Sequence, residues 1–127
     1  MHRTVLSVSK NSAVQVTRNL ILERAGYKVL STIDLSEAVR LFETSNVDAI
    51  ILGDSLGPDE RHELGTAFKT LRPAVPIIMV GRVNDSRSVQ ELADEHLESM
   101  GDPRLLLEAL ARVLNHGHSS TDPETGQ

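Results

Sequence analysis

The chain has 127 residues, of which 39% are hydrophobic and 24% charged, and this composition predicts one soluble domain with a single packed core. The net charge of −5 and the aromatic content of 2% argue against nucleic-acid binding, which needs basic surfaces or aromatic rings that stack on bases. The absence of cysteine excludes disulfides, thiolate metal sites and cysteine nucleophiles. With no signal-peptide layout and no membrane-length apolar run, we predict a cytoplasmic protein that contacts no membrane.

Five short runs rich in β-branched and apolar residues predict strands. They lie at residues 3–8, 28–33, 48–52, 75–80 and 96–98. The first, third and fourth runs are apolar without clean alternation, which is typical of strands covered by helices on both faces. We therefore expect a sheet enclosed between two layers of helices.

The first three helices have recognisable starts. Ser12 with Gln15 forms a capping-box pattern that predicts the start of the first helix. Asp34 with Glu37 repeats this pattern before the second helix, and Pro58 suits the first position of the third.

The last two helical patterns differ in strength. Residues 85–95 predict a shortened fourth helix, whereas the apolar stretch from Pro103 to about Asn115 predicts a strong fifth helix. We place the domain at residues 1–116 and expect a flexible polar tail at residues 117–127.

The alternation of strands and helices predicts an α/β protein. The expected fold is a flavodoxin-like three-layer sandwich, with a five-stranded parallel sheet in the order 2-1-3-4-5 and helices on both faces. In such a sheet a functional site lies at the carboxyl ends of the first and third strands, where the strand order reverses. Those ends are residues 9–11 and 53–55.

Over residues 3–115 the chain resembles the receiver domain of two-component response regulators. The resemblance rests on four segments in the family's order and spacing: LERAGYKV (22–29), VDAIIL (47–52) before Leu56 and Pro58, RPAVPIIMV (72–80), and ADEHL (93–97) before Asp102 and Pro103. It implies a phosphorylation switch. Two acidic residues after the first strand would hold Mg²⁺, and an aspartate at the end of the third strand would accept a phosphoryl group. A hydroxyl residue would follow the fourth strand, and a lysine would follow the fifth strand.

The sequence departs from this pattern at the positions that carry the chemistry. The acidic pair falls on Ser9 and Lys10, the hydroxyl position on Gly81, and the lysine position on Ser99. None of these side chains has the expected chemistry, and Lys10 would repel a metal ion. The resemblance thus implies a degenerate acidic pocket without a metal or another cofactor.

The position of the phosphoryl acceptor depends on the direction of counting. Counted forward from Asp48 it is Gly53, and counted back from Pro58 it is Asp54. If Asp54 faces the crevice, we expect Lys10 to pair with it and to keep the carboxylate charged. Otherwise Asp54 is a turn residue that hydrogen-bonds its own loop.

A candidate interaction face lies on the fifth strand and fifth helix. It consists of His96 and of apolar residues whose arc is wider than one face of a sheet requires, namely Leu106, Leu110 and Val113. The alternative is that these apolar residues are all core.

Together these features predict a stand-alone, non-enzymatic signalling module, with no output domain after it in the 127 residues. It would bind another signalling protein, or a second copy of itself, without Mg-dependent aspartyl phosphorylation. Two alternatives stay open: a phospho-accepting response regulator that uses Asp54, and a sensor that holds a small ligand in the crevice at the strand ends.

Overall fold

The structure is a computed structural model, and it describes residues 3–53, 55–81, 87–97 and 103–120. In these residues five strands and five helices alternate: β1 Thr4–Val8, α1 Ser12–Arg24, β2 Lys28–Thr32, α2 Leu35–Thr44, β3 Ala49–Leu52, α3 Pro58–Leu71, β4 Ile77–Val80, α4 Arg87–Leu92, β5 Glu95–Leu97 and α5 Pro103–Ser120. The strands form one parallel sheet in the order β2-β1-β3-β4-β5. The predicted flavodoxin-like fold is confirmed, including a fourth helix of only six residues.

Two apolar clusters hold the helices against the sheet. One contains Phe42 of α2 and Phe68 of α3, whose ring centroids are 4.8 Å apart, and it covers one face. The other contains Leu22 of α1 together with Leu106 and Leu110 of α5, and it covers the opposite face. Strands β3 and β4 are buried on both faces, which explains their uninterrupted apolar sequences.

Helix α1 begins where predicted but is capped differently. The Oδ1 atom of Asn11 accepts a hydrogen bond from the Val14 N–H at 3.1 Å, so Asn11 is the N-cap residue. The predicted capping box of Ser12 and Gln15 is therefore wrong by one residue. Gln15 is buried, because its side chain turns towards the sheet instead of back to the helix start.

The start of α2 is confirmed at Asp34, whose Oδ1 atom accepts from the N–H groups of Ser36 and Glu37. The hydrogen bond from the Ser36 hydroxyl, at 2.7 Å, followed by those from the Glu37 and Ser36 N–H groups, lowers the pKa of the Asp34 carboxyl. The Glu37 carboxylate does not complete the expected box. It accepts instead from Thr32 Oγ1 at 2.7 Å, and Thr32 Oγ1 in turn accepts from the Asp34 N–H at 3.0 Å.

Helix α5 is longer than the sequence predicts. It runs to Ser120, so the predicted end near Asn115 is five residues too early. No proline stands between Pro103 and Pro123 to stop the helix. The predicted tail thus overlaps the helix at residues 117–120, and residues 121–127 lie outside the described part. No described helix is both long and apolar enough to cross a membrane.

Candidate functional site at the strand ends

The predicted crevice lies at the carboxyl edge of the sheet. Ser9, Gly53 and Gly81 directly follow β1, β3 and β4, and all three are buried. The Gly53 N–H donates to the Val8 carbonyl at 3.0 Å, and the Gly81 N–H donates to the Leu97 carbonyl at 2.8 Å. The sheet therefore fixes these positions through its own backbone hydrogen bonds.

Hydroxyl groups join the tips of β1 and β3. The Oγ atoms of Ser9 and Ser55 lie 2.8 Å apart, and Ser55 Oγ also accepts from the Lys10 N–H at 2.8 Å. Ser9 Oγ accepts in addition from the Asn11 N–H at 3.1 Å. These hydrogen bonds join the loops after β1 and β3 directly, through uncharged hydroxyl and backbone groups.

The Lys10 side chain reaches across to α3. Its Nζ atom lies 2.8 Å from Glu60 Oε2, while Glu60 Oε1 accepts from the Gly57 N–H at 2.9 Å. The hydrogen bond from Lys10, followed by the one from the Gly57 backbone, lowers the pKa of the Glu60 carboxyl. The sequence alone does not reveal this pair, because its two residues lie 50 positions apart along the chain.

Replacing Glu60 by glutamine should lower the free energy of unfolding at neutral pH by at most about 1 kcal/mol, since this ion pair is partly exposed and screened by solvent. The folded pKa of Glu60 lies below its unfolded value of about 4.3. The contribution is therefore complete above that value and is lost as the pH falls through the folded pKa. Urea unfolding of both proteins between pH 7 and pH 3 should show the difference shrinking in acid.

Glu43→Gln is the matched control, because Glu43 is exposed on α2 and its carboxylate has no ion pair within the described residues. This variant should follow the wild type at every pH. A Glu60→Gln effect that persisted unchanged at the acid end would contradict the role of the ion pair.

A buried arginine borders the tip of β3. Arg18 of α1 is only 1% exposed, and a Cβ atom built on Gly53 would lie 3.0 Å from its Nη1 atom and 3.5 Å from its Nη2 atom. The guanidinium therefore occupies the space that a side chain at position 53 would need. Arg18 could not be recognised as a site residue from the sequence, because an arginine in an amphipathic helix is ordinarily exposed.

A second buried arginine reaches the tip of β4. Arg61 of α3 is 4% exposed, and its Nη1 atom donates to the Val80 carbonyl at 3.3 Å. With Lys10 and Arg18, it brings three basic side chains to the carboxyl edge of the sheet. Within the described ranges, no three His, Cys, Asp or Glu side chains come together as a metal site.

Two predicted site residues, Asp54 and Ser99, lie outside the described residues, so the direction of Asp54 and its pairing with Lys10 stay predictions. The strand register gives the position of Gly53 in the sheet. Because Val8 pairs with Leu52, Gly53 lies level with Ser9, and Asp54 follows it along the chain.

The apolar members of the predicted interaction face are buried within the domain. Leu106 and Leu110 are fully buried and Val113 is 6% exposed, because all three belong to the cluster that packs α5 on the sheet. His96 is half-buried in β5, and Leu105 is the exposed leucine of α5. The wide apolar arc of α5 is thus mainly core.

Solved structures with the same fold include receiver domains. The chain matches a CheY-like response regulator receiver domain protein from Methanospirillum hungatei with a TM-score of 0.81 and 21% identity, over 94% of this chain and 99% of that one. It matches a chemotaxis response regulator of Vibrio cholerae with a TM-score of 0.79 and 23% identity, over 90% and 100%. It also matches the receiver domain of a sensor histidine kinase from Pseudomonas aeruginosa, with a TM-score of 0.80 and 21% identity, over 91% and 99%.

That last structure has a magnesium ion coordinated in its active-site cleft. No protein-family model and no curated protein sequence matches the chain. At these identities the comparisons establish the fold, and the chain has the fold of response-regulator receiver domains.

Proposed function

We propose that the protein is a receiver-like signalling module that acts by contact with another protein, without Mg-dependent phosphorylation of an aspartate. The observation that carries this proposal is the presence of three basic side chains at the strand ends in the described part of the chain. Lys10, Arg18 and Arg61 approach the ends of β1, β3 and β4, where an active receiver requires carboxylates around a cation.

The residues at the tip of β1 do not fit a magnesium ion. Mg²⁺ is held by carboxylates, water and other oxygen ligands in a near-octahedral arrangement. Ser9 offers only a hydroxyl, which already bonds to Ser55, and Lys10 adds a positive charge at the next position.

The tip of β3 is equally unsuited to accept a phosphoryl group at Gly53. This residue lies level with Ser9 but has no side chain, and Arg18 fills the adjacent space. The transition state of phosphoryl transfer depends on cations that bridge the reacting oxygens. The Arg18 guanidinium is buried beside the Gly53 backbone, so it does not take the position of such a bridging cation.

The proposal is tested by adding beryllofluoride with Mg²⁺ to the ¹⁵N-labelled protein and recording amide shifts at residues 9–11, 53–57 and 81. We expect no change at these amides, and no gain of a phosphoryl mass after incubation with acetyl phosphate. An Mg-binding receiver treated in parallel shows that the reagents are active.

Asp54→Ala and Asp59→Ala form the matched pair of variants, since Asp59 lies nearby in the exposed first turn of α3. Shifts or a phosphoryl mass that disappear in Asp54→Ala but not in Asp59→Ala would overturn the proposal. They would establish the alternative of a phospho-accepting regulator.

We infer that the partner is a signalling protein, because the similar structures include parts of a sensor kinase and a chemotaxis regulator. Any contact through the β5–α5 face would depend on His96 and Leu105, since Leu106, Leu110 and Val113 are buried. This leaves that face with little exposed apolar surface in the described residues.

A further inference from the structure

Helices α2 and α3 leave a groove of about 600 Å³ between the N-terminal half of α2 and the middle of α3. Apolar side chains from both helices line it, and all but the buried Leu64 are partly exposed: Leu35, Val39, Leu64 and Ala67. Asp34 and Ser36 on one side and Glu63 on the other complete the lining. We call this space, with these seven residues, the α2–α3 groove.

The two helices are fixed to each other beyond the groove, near the end of α2. The ring centroids of Phe42 and Phe68 lie 4.8 Å apart, and the Arg72 guanidinium lies 4.7 Å from the Phe42 ring centroid. The Nη1 and Nη2 atoms of Arg72 donate to the carbonyls of Ser45 at 3.0 Å and Glu43 at 3.2 Å. Because these contacts hold the end of α2 against α3, the groove exists before any partner binds.

One carboxylate lies on each side of the α2–α3 groove. Asp34 takes its capping hydrogen bonds on Oδ1, so its Oδ2 atom accepts none within the described residues. Glu63 is exposed, and its carboxylate has neither a hydrogen bond nor an ion pair in the same part of the chain. His62 is also exposed, but the helical step of about 100° per residue places it on the far side of Glu63 from Leu64.

Four basic side chains lie on α2 and α3 or cap their ends, and each has a partner within the domain: Arg40, Arg61, Lys69 and Arg72. Arg40 lies one turn after Ser36, and its Nη2 atom is 3.7 Å from Glu37 Oε2. Lys69 Nζ lies 2.8 Å from Asp94 Oδ2, and Arg61 is buried against the end of β4. These cations therefore do not neutralise the two carboxylates of the groove.

The other charges near the groove are acidic or already paired. Lys10 reaches the first turn of α3, where it pairs with Glu60. Glu43 and Asp59 are exposed and have no ion pair within the described residues. A ligand that approaches the groove thus meets an apolar surface between unpaired negative charges.

This combination fits a basic amphipathic helix. Such a helix lays its apolar side chains, spaced i, i+3, i+4 and i+7, into a groove between two helices. Lysine or arginine residues beside the apolar side chains would face Asp34 and Glu63. Residues 121–127 of the chain itself do not suit this role, since they contain two acidic and no basic residues.

We propose that the α2–α3 groove docks a basic amphipathic helix of a partner protein. The proposal rests on one part of the function proposed above, namely action by contact with another protein, and not on the loss of phosphorylation. Helix binding and the response to beryllofluoride are separate measurements, so either one can fail without the other.

Fluorescence anisotropy of a labelled synthetic peptide tests the docking. The peptide has about 15 residues, with leucines at the spacing i, i+3, i+4 and i+7 and lysines on both sides of them. We expect saturable binding with a dissociation constant below about 1 mM. The same peptide with glutamates in place of the lysines should bind at least about tenfold more weakly.

Glu63→Lys should raise the dissociation constant of the lysine peptide at least about tenfold, because it reverses the charge on one side of the groove. Glu23→Lys is the matched control, since Glu23 is exposed on α1, which covers the opposite face of the sheet. It changes the net charge equally and should alter the constant by less than about twofold. Circular dichroism verifies that both variants are folded.

Amide shifts of the ¹⁵N-labelled protein locate the bound peptide. We expect the largest changes at residues 34–39 and 63–67, and small changes at residues 12–24 of α1. The largest changes at α1 would contradict the proposed site.

Three further results would overturn the proposal. The first is the absence of saturable binding up to about 1 mM protein. The second is equal binding of the lysine and glutamate peptides, or equal effects of Glu63→Lys and Glu23→Lys. The third is a wild-type dimer in sedimentation velocity that is lost in Glu63→Lys but kept in Glu23→Lys, since a second copy of the chain would then occupy the groove.

Discussion

Replacing Gln15 by leucine should lower the free energy of unfolding by about 2–4 kcal/mol, because buried polar groups would lose their partners. Gln15 is 5% exposed, and its Oε1 atom accepts from Ser7 Oγ at 2.9 Å. Its Nε2 atom donates to the carbonyls of Ser7 at 3.0 Å and Thr32 at 2.9 Å. Leucine has a similar volume but makes none of these three hydrogen bonds, and of the groups involved the Thr32 carbonyl keeps a bond from the Ser9 N–H at 3.3 Å. Urea unfolding followed by circular dichroism measures the loss.

Asn19→Leu is the matched control, one turn further along the same helix. Asn19 donates to Ser31 Oγ at 3.0 Å near the surface, and its loss should cost less than about 0.5 kcal/mol. Adding Ser7→Ala to Gln15→Leu should recover part of the loss, since one of the unpaired groups is then removed. Equal effects of Gln15→Leu and Asn19→Leu would show that the buried network contributes little.

The second large effect is expected at Gly53. Gly53→Val should lower the free energy of unfolding by about 1–3 kcal/mol, because the new side chain overpacks the Arg18 guanidinium. The first added atom alone would lie 3.0 Å from Arg18 Nη1 and 3.4 Å from the Val8 carbonyl oxygen. Arg18 is 1% exposed, so moving its guanidinium away from the new side chain would disturb the residues packed around it. Urea unfolding measures this difference too.

A double-mutant cycle isolates this contact. In an Arg18→Met background, where the guanidinium is absent, the cost of Gly53→Val should fall by at least about 0.5 kcal/mol. Additive effects of the two substitutions would mean that Arg18 does not restrict position 53. The cost would then have to come from the Val8 backbone alone.

The fold could be predicted because its signals are local. The apolar runs at β3 and β4, the cap at Asp34 and the proline at Pro58 each depend on neighbours in sequence. The alternation of strands and helices then limits the sheet to a few topologies, because crossover connections between parallel strands are right-handed. The exact ends were harder, since Asn11 rather than Ser12 caps α1 and α5 continues to Ser120.

The site could be predicted in its position but not in its contacts. The pattern correctly placed Ser9, Gly53 and Gly81 at the carboxyl edge, because strand ends in a parallel sheet lie together. It did not reveal that Glu60 binds Lys10, or that Arg18 packs on Gly53. These pairs join residues 50 and 35 positions apart, and no short-range pattern encodes such contacts.

The same limit explains why the sequence could not decide what the apolar residues of α5 contact. Leucines at a dimer seam and leucines in a core have the same spacing, so Leu106, Leu110 and Val113 fitted both interpretations. Only the packing of α5 against the sheet assigns them to the core.

Arg18 differs from a bound ion in one respect that matters for a cell. A metal ion exchanges with its surroundings and a phosphoryl group is hydrolysed. The Arg18 guanidinium is covalently part of the chain, so it is present as long as the polypeptide exists. This charge is therefore insensitive to chelators and to the supply of phosphodonors, and the fold alone keeps it at the end of β3.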